Sequence, residues 1–291
     1  LDLYGLATTS VAAQDQQTQA ALTAYAAGVN AWLAEVNKGA RGRGAPEMWL
    51  FRDAVAPWQP ADSIAILKLM ALESTTQAQA DVLRARVSLM ISPERVADIL
   101  PDDPAAPAIA LPAYGALVPD LPRFAAGTGT TWPLPPVALG GASNAWAAGI
   151  ARSATGSTLL ASDPHVGLTA PGLFYLARLE LQTGGVIGAT VPGLPVVLSG
   201  RSADLGWGIT SAWADDQDVF IEEVNPANAQ QYRTPEGWAD FTTRESIIEV
   251  RGAAPVTLDL QWTGNGPVLS PELMDLGTIR PPGHVTVLGW T

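Results

Sequence analysis

The chain has 291 residues, 47% of them hydrophobic, and a formal net charge of −12; it can bury a sizeable core, in one large domain or two smaller ones. It lacks the basic stripe that nucleic acid or an anionic membrane surface would require, and no run of ~18 uninterrupted apolar residues predicts a transmembrane helix. The absence of cysteine excludes disulfides, thiolate metal sites and a cysteine nucleophile, and two histidines, His165 and His284, are too few for a His-rich metal site, but the acidity leaves binding of a hard cation open.

The first hundred residues read as helical. Ala20, Ala21, Leu22, Tyr25, Ala26, Val29, Trp32, Leu33 and Val36 recur at helical spacing and predict a helix over 11–37 that Gly39 stops. Gly42, Gly44 and Pro46 make a loop. A second helix begins after Pro57-Trp58-Gln59-Pro60, with Asp62 or Ser63 as N-cap, and runs to about Leu72. A third covers Gln77–Met90, and a short one follows Ser92-Pro93-Glu94. Residues 101–142 are rich in Pro, Gly, Ala and Thr and read as a spacer.

From residue 143 to residue 291 the pattern turns to strands. The candidates are Ala145–Ile150, Thr158–Ala161, Phe174–Leu181, Val186–Val191, Val196–Ser199, Leu205–Thr210, Asp218–Glu223, Ser246–Val250 and Thr257–Thr263. Helices first and strands afterwards predict an α+β fold. The chain opens at Leu1 and closes in a strand-like run, Val285–Thr291, so it is expected to be a piece of something longer.

Chemistry is expected at Gly140-Gly141-Ala142-Ser143-Asn144-Ala145-Trp146. If the bond between Ala142 and Ser143 breaks, Ser143 becomes an N-terminus. It then carries a hydroxyl nucleophile and, on the same residue, an amine able to act as base. Read alone, the stretch is more simply a loop entering a strand.

Four further pieces follow in order: Leu160-Ala161-Ser162-Asp163-Pro164-His165-Val166-Gly167, then Val186 to Pro195, then Leu205-Gly206-Trp207-Gly208-Ile209-Thr210, then Asp215-Asp216-Gln217-Asp218. Together with Ser143-Asn144-Ala145-Trp146 they resemble the penicillin acylase (penicillin amidase) family of N-terminal-nucleophile hydrolases. Ala24 to Ala31, and Pro57-Trp58 through Leu69-Met70-Ala71, resemble the helical α-chain segment of that family.

The resemblance implies a four-layer αββα sandwich and a precursor that cuts itself before Ser143. The products are an α/β heterodimer, exported to the periplasm or secreted. Ser143 would attack the carbonyl of a small-molecule N-acyl amide, such as a penicillin, a cephalosporin or an acyl-homoserine lactone, and form an acyl-enzyme. His165 matches the position beside the nucleophile; by itself it is a structural histidine in an Asp-Pro-His turn. Ser211 matches the residue whose backbone N–H helps form the oxyanion hole. The second oxyanion donor, an Asn, and a following Arg belong downstream of Thr291, so the chain alone is expected to be inactive. Val166 and Ser199 match pocket positions. Neither is aromatic, which suits aliphatic or longer acyl chains. Asp215, Gln217 and Asp218, with Asp81 as a looser match, imply a structural calcium ion that ties the two parts together; the alternative is an exposed acidic loop. No cofactor is expected for catalysis.

Two other readings stay open. One is a folded, unprocessed binding module without turnover. The other is a Ser-His-Asp hydrolase built on Ser143, His165 and Asp163. It lacks a G-x-S-x-G elbow, and Asp163 sits close to His165 in sequence.

Overall fold

The computed structural model describes residues 1–39, 44, 55–91, 95, 96, 98, 117, 118, 143–167, 169–182, 184–212 and 214–290. They form helices and antiparallel sheets, an α+β fold. Two compact units are present: Leu1–Ser74 with Val137–Ala212, and Thr75–Pro136 with Trp213–Thr291. The short helix read after Ser92 and the spacer lie almost wholly outside the described residues, as does Ala142.

The first unit contains α1 (Leu3–Ala13), α2 (Gln16–Asn37) and α3 (Pro60–Ser74). The single helix expected over 11–37 is therefore two. The break is Asp15, whose carboxylate accepts from the N–H groups of Gln17 and Thr18 at 2.8 and 3.0 Å and caps α2. Gly39 ends α2 at φ +78, as its position predicts. Helix α3 starts at Pro60, ahead of the expected cap. Pro60 occupies the first turn, where its missing N–H costs nothing, and Asp62 reaches back to accept from Gln59 N–H at 2.5 Å. Ala7, Leu22, Ala26 and Leu72 are buried where α1 and α2 pack on α3.

The strands of this unit are β1 (Ser143–Ala148), β2 (Leu159–Pro164), β3 (Tyr175–Leu181), β4 (Gly184–Thr190), β5 (Ser199–Arg201) and β6 (Gly206–Trp207). β1 and β2 form an antiparallel pair with Ser143 opposite Pro164. β3, β4, β5 and β6 form an antiparallel sheet in that order. The strand expected over Val196–Ser199 in fact starts at Ser199. Val191 to Leu198 instead make a loop, closed by Leu194 N–H on Val191 O and Leu198 N–H on Ala189 O.

Two motifs of the helical segment hold that loop. The side chain of Asn30 pairs with both backbone groups of Trp58, at 2.9 and 2.7 Å. Trp58 packs edge-on to Tyr25, and the Tyr25 hydroxyl accepts from Gly193 N–H at 3.1 Å. Gly193 has φ +96, and a Cβ there would lie 2.2 Å from Ile66 Cδ1, so only glycine fits. The Tyr25 phenol titrates above its ordinary value, mainly because it is buried.

The second unit holds α4 (Gln77–Ser88), β7 (Gln217–Glu223), β8 (Gln231–Thr234), β9 (Gly237–Asp240), β10 (Thr242–Ile248), β11 (Val256–Thr263), β12 (Gly266–Pro267) and β13 (His284–Trp290). β13 is the strand-like run seen near the end of the sequence, and it pairs with β7. The core here is Leu276, Ile279, Val287, Leu288 and the buried face of α4, Ala78 and Val82.

Candidate active site

Ser143 is the first residue of β1 and is half-buried. The β1–β2 register brings it opposite Pro164, so His165 is the next residue beyond its partner. Closeness in sequence argues against an Asp163–His165 pair; the structure corrects this. Asp163 Oδ2 and His165 Nε2 are 2.9 Å apart, both side chains being exposed. Strand β2 ends between them, and the chain turns at Pro164, with Val166 N–H donating to Pro164 O, which brings the ring back over the carboxylate. An ionised carboxylate accepts only, so Nε2 carries the proton in the neutral ring and Nδ1 holds the lone pair.

The segment after β5 lies across β1 and β2 with a period of two. A Cβ on Gly206 would come within 2.9 Å of Leu160 Cδ2, and one on Gly208 within 2.9 Å of Ser162 Cβ. Thr210, next on the same face, donates its hydroxyl to the backbone carbonyl of Ser143 at 3.2 Å. The two glycines thus permit a close approach that ends at the nucleophile candidate. Ser211 follows directly and is exposed. Trp207 anchors the segment, its Nε1–H donating to Val197 O at 3.0 Å.

Ser199 stands in the same place. Its Oγ lies 3.4 Å from Ser162 Oγ and accepts from Ile209 N–H at 3.4 Å. The first unit therefore brings Ser162 and Ser199 together on the face of β1 and β2 that Ser143 shares, with Ser211 next to Thr210 in the crossing segment, whereas Asp163, opposite Asn144, belongs to the alternate face and takes His165 as its partner. Val166 is half-buried beside His165. The tryptophans divide: Trp58 and Trp207 pack against their neighbours, whereas Trp146 is 57% exposed. Sequence reasoning does not single out Thr210 or Ser162 for a role at the site. The alternation Gly206, Gly208, Thr210 is the signal for the first.

The acidic residues belong to the second unit. Asp81 accepts from Val219 N–H at 3.1 Å. Its carboxyl is pushed up to about 6, first by burial, then by the like charges of Asp218 and Asp215, against the Val219 hydrogen bond. Gln217 is buried, and Asp216 accepts from Trp290 Nε1–H at 3.3 Å while its Oδ1 is buried without a partner. As they stand, no three of the described His, Asp or Glu residues are close enough together to hold a metal ion. The repulsion that Asp215 and Asp218 exert on Asp81 is what a cation would relieve.

The fold and the serine-opened strand pair define an α+β protein with a nucleophile candidate at a strand terminus. The penicillin amidase family model matches residues 1–291, and the chain belongs to that family. It is 26% identical to the acyl-homoserine lactone acylase QuiP of Pseudomonas aeruginosa, over 89% of this chain and 31% of that protein. It is 31% identical to the penicillin acylase 2 proenzyme of Pseudomonas sp. strain SE83, over 87% of this chain and 33% of that protein. Among solved structures it is similar to the thermostable penicillin G acylase from Alcaligenes faecalis, with 29% identity and a TM-score of 0.44, covering 50% of this chain and 25% of that one. The chain spans about a third of the length of the curated relatives it matches. No helix of the described residues is long and apolar enough to cross a membrane.

Proposed function

We propose that this chain carries the nucleophile part of an N-acyl amide hydrolase. Ser143, freed as an N-terminus by self-cleavage after Ala142, attacks the amide carbonyl. Its α-amine takes the hydroxyl proton and passes it to the leaving nitrogen as the C–N bond breaks, the amine product leaves, and a water that gives a proton to the α-amine attacks the acyl-enzyme ester, the proton returning to the Ser143 oxygen as the acid is released. The observation that supports this reading is the hydrogen bond from the Thr210 hydroxyl to the Ser143 carbonyl, which brings the Thr210–Ser211 segment to the residue that opens β1.

In this reading His165 presents Nδ1 toward the nucleophile and shuttles or holds a proton there, with Asp163 fixing the tautomer. The Ser211 N–H donates to the oxyanion that forms on the substrate carbonyl. Ser199 and Val166 line the acyl pocket, and the absence of an aromatic side chain at either favours aliphatic acyl groups. The names of the relatives suggest acyl-homoserine lactones and penicillins as substrates.

The four-layer αββα sandwich is part of the proposal. Tyr175, Leu179 and Leu181 share one face of β3 and are exposed, as is Leu176 on the other, at 83%; further layers would cover them. The α/β heterodimer and export to the periplasm or beyond belong to it as well; a chain without cysteine is compatible with that compartment. So does a structural calcium ion, held by Asp81, Asp215, Asp218 and the Gln217 carbonyl, whose hard charge suits oxygen donors.

The test is hydrolysis by the full-length protein of chromogenic N-acyl amides that differ in the leaving amine. With hydroxylamine added, the acyl group is expected to partition between water and hydroxylamine in a ratio independent of the leaving amine, as a common acyl-enzyme requires. A ratio that changes with the leaving amine, or turnover that never yields the hydroxamate, contradicts the proposal.

A further inference from the structure

We infer that Thr210 is a positioning residue: its hydroxyl clamps the nucleophile and the oxyanion donor into one unit through the Ser143 carbonyl. This rests on the reading of Ser143 as nucleophile and of Ser211 N–H as oxyanion donor.

In an antiparallel pair a residue either exchanges hydrogen bonds with its partner or points its N–H and C=O away from it. The partner of Ser143 is Pro164. In the first arrangement Pro164 has no N–H to give. In the second the Ser143 carbonyl faces away from β2. Either way β2 cannot satisfy this oxygen, and among the described residues β1 pairs with no other strand. The Thr210 hydroxyl, at 3.2 Å, is the donor that does so.

The position of that bond matters for chemistry. Cleavage before Ser143 removes the peptide on its amino side. The Cα that carries the hydroxyl and the new amine is then held only through the Ser143–Asn144 peptide plane, and a hydrogen bond to the carbonyl anchors that plane and with it the Cα. Thr210 also immediately precedes Ser211, so the same bond sets the spacing between the attacking oxygen and the oxyanion donor. The contacts of Gly206 and Gly208 with β2 and β1 deliver Thr210 to this place from the sheet side.

The experiment compares full-length wild type, Thr210→Val and Thr210→Ser. Valine keeps the shape of threonine without the hydroxyl; serine keeps the hydroxyl. The readouts are the appearance of a Ser143 N-terminus over time, kcat and KM for the hexanoyl amide of p-nitroaniline, and the thermal midpoint. For Thr210→Val, processing and kcat should fall roughly tenfold to a hundredfold, the scale of a small misplacement at a reacting centre. KM and the thermal midpoint should change little, and Thr210→Ser should restore most of the rate. A Thr210→Val protein that processes and turns over like wild type overturns the inference. So does a Thr210→Ser protein as impaired as Thr210→Val. A wild type that neither cuts nor hydrolyses overturns the underlying reading itself, a result distinguishable from the other two.

Discussion

Replacing Asp81 with Asn removes a charge while keeping an acceptor for Val219 N–H. In the folded protein the Asp81 carboxyl titrates at about 6 instead of its ordinary 3.8, because it is buried and faces Asp218 and Asp215. The unfolded chain therefore loses this proton first. Between about pH 4 and pH 6 the folded state binds more protons than the unfolded one, and stability falls as pH rises through that window. Without screening, the difference amounts to about 3 kcal/mol at 1.36 kcal/mol per tenfold change. Asp81 is only half-buried, and water reduces the figure to about 1 kcal/mol. In the presence of a chelator, Asp81→Asn should thus be more stable than wild type by about 1 kcal/mol above pH ~7, and no more stable below pH ~4. Urea unfolding at both pH values, followed by tryptophan fluorescence, measures it. Calcium should reverse the order, since wild type would gain about 2.7 kcal/mol at a hundredfold excess over Kd and the variant much less. A variant less stable than wild type at high pH in chelator refutes the electrostatic reasoning. Calcium without effect on wild type refutes the metal site.

Gly208→Ala should destabilise by about 1–3 kcal/mol, because its Cβ meets Ser162 at 2.9 Å in a packed place; it should also slow processing, seen by denaturant melts and gel assay of the two fragments. Tyr25→Phe should cost about 1–2 kcal/mol by leaving Gly193 N–H without its acceptor, measured as a fall in the urea midpoint. His165→Gln should lower kcat and remove the limb of the pH–rate profile that reports the imidazole; an unchanged rate and profile make the histidine structural.

Periodicity is enough to locate most helices and strands: α2 and α4 bury apolar residues at helical spacing, and β3, β7 and β11 are runs of strand-forming residues between polar or glycine-containing turns. It fails where one polar contact decides the outcome. Asp15 looks like any surface carboxylate, yet capping by it splits the first helix in two. Pro60 rather than Asp62 starts α3, because the cap signal and the first-turn signal use overlapping residue types. β8 and β9 are short and carry weak alternation, so only the turn between them is visible in the sequence. At the site, Ser143, His165 and Ser211 are legible as motif positions. The Asp163–His165 pair is not, because closeness in sequence hides the turn at Pro164 that folds one side chain onto the other. Thr210 is not either, because its role depends on a proline opposite Ser143 that only the strand register reveals.

The central claim is that Ser143 becomes a free N-terminus and acts as the nucleophile. Intact mass spectrometry with N-terminal sequencing of the purified full-length protein, alongside Ser143→Ala, tests it most directly. Wild type should yield two associated fragments, one beginning Ser-Asn-Ala-Trp, and the variant a single uncut chain without hydrolysis. An uncut wild type that hydrolyses N-acyl amides, or a Ser143→Ala protein that still turns over, would contradict it.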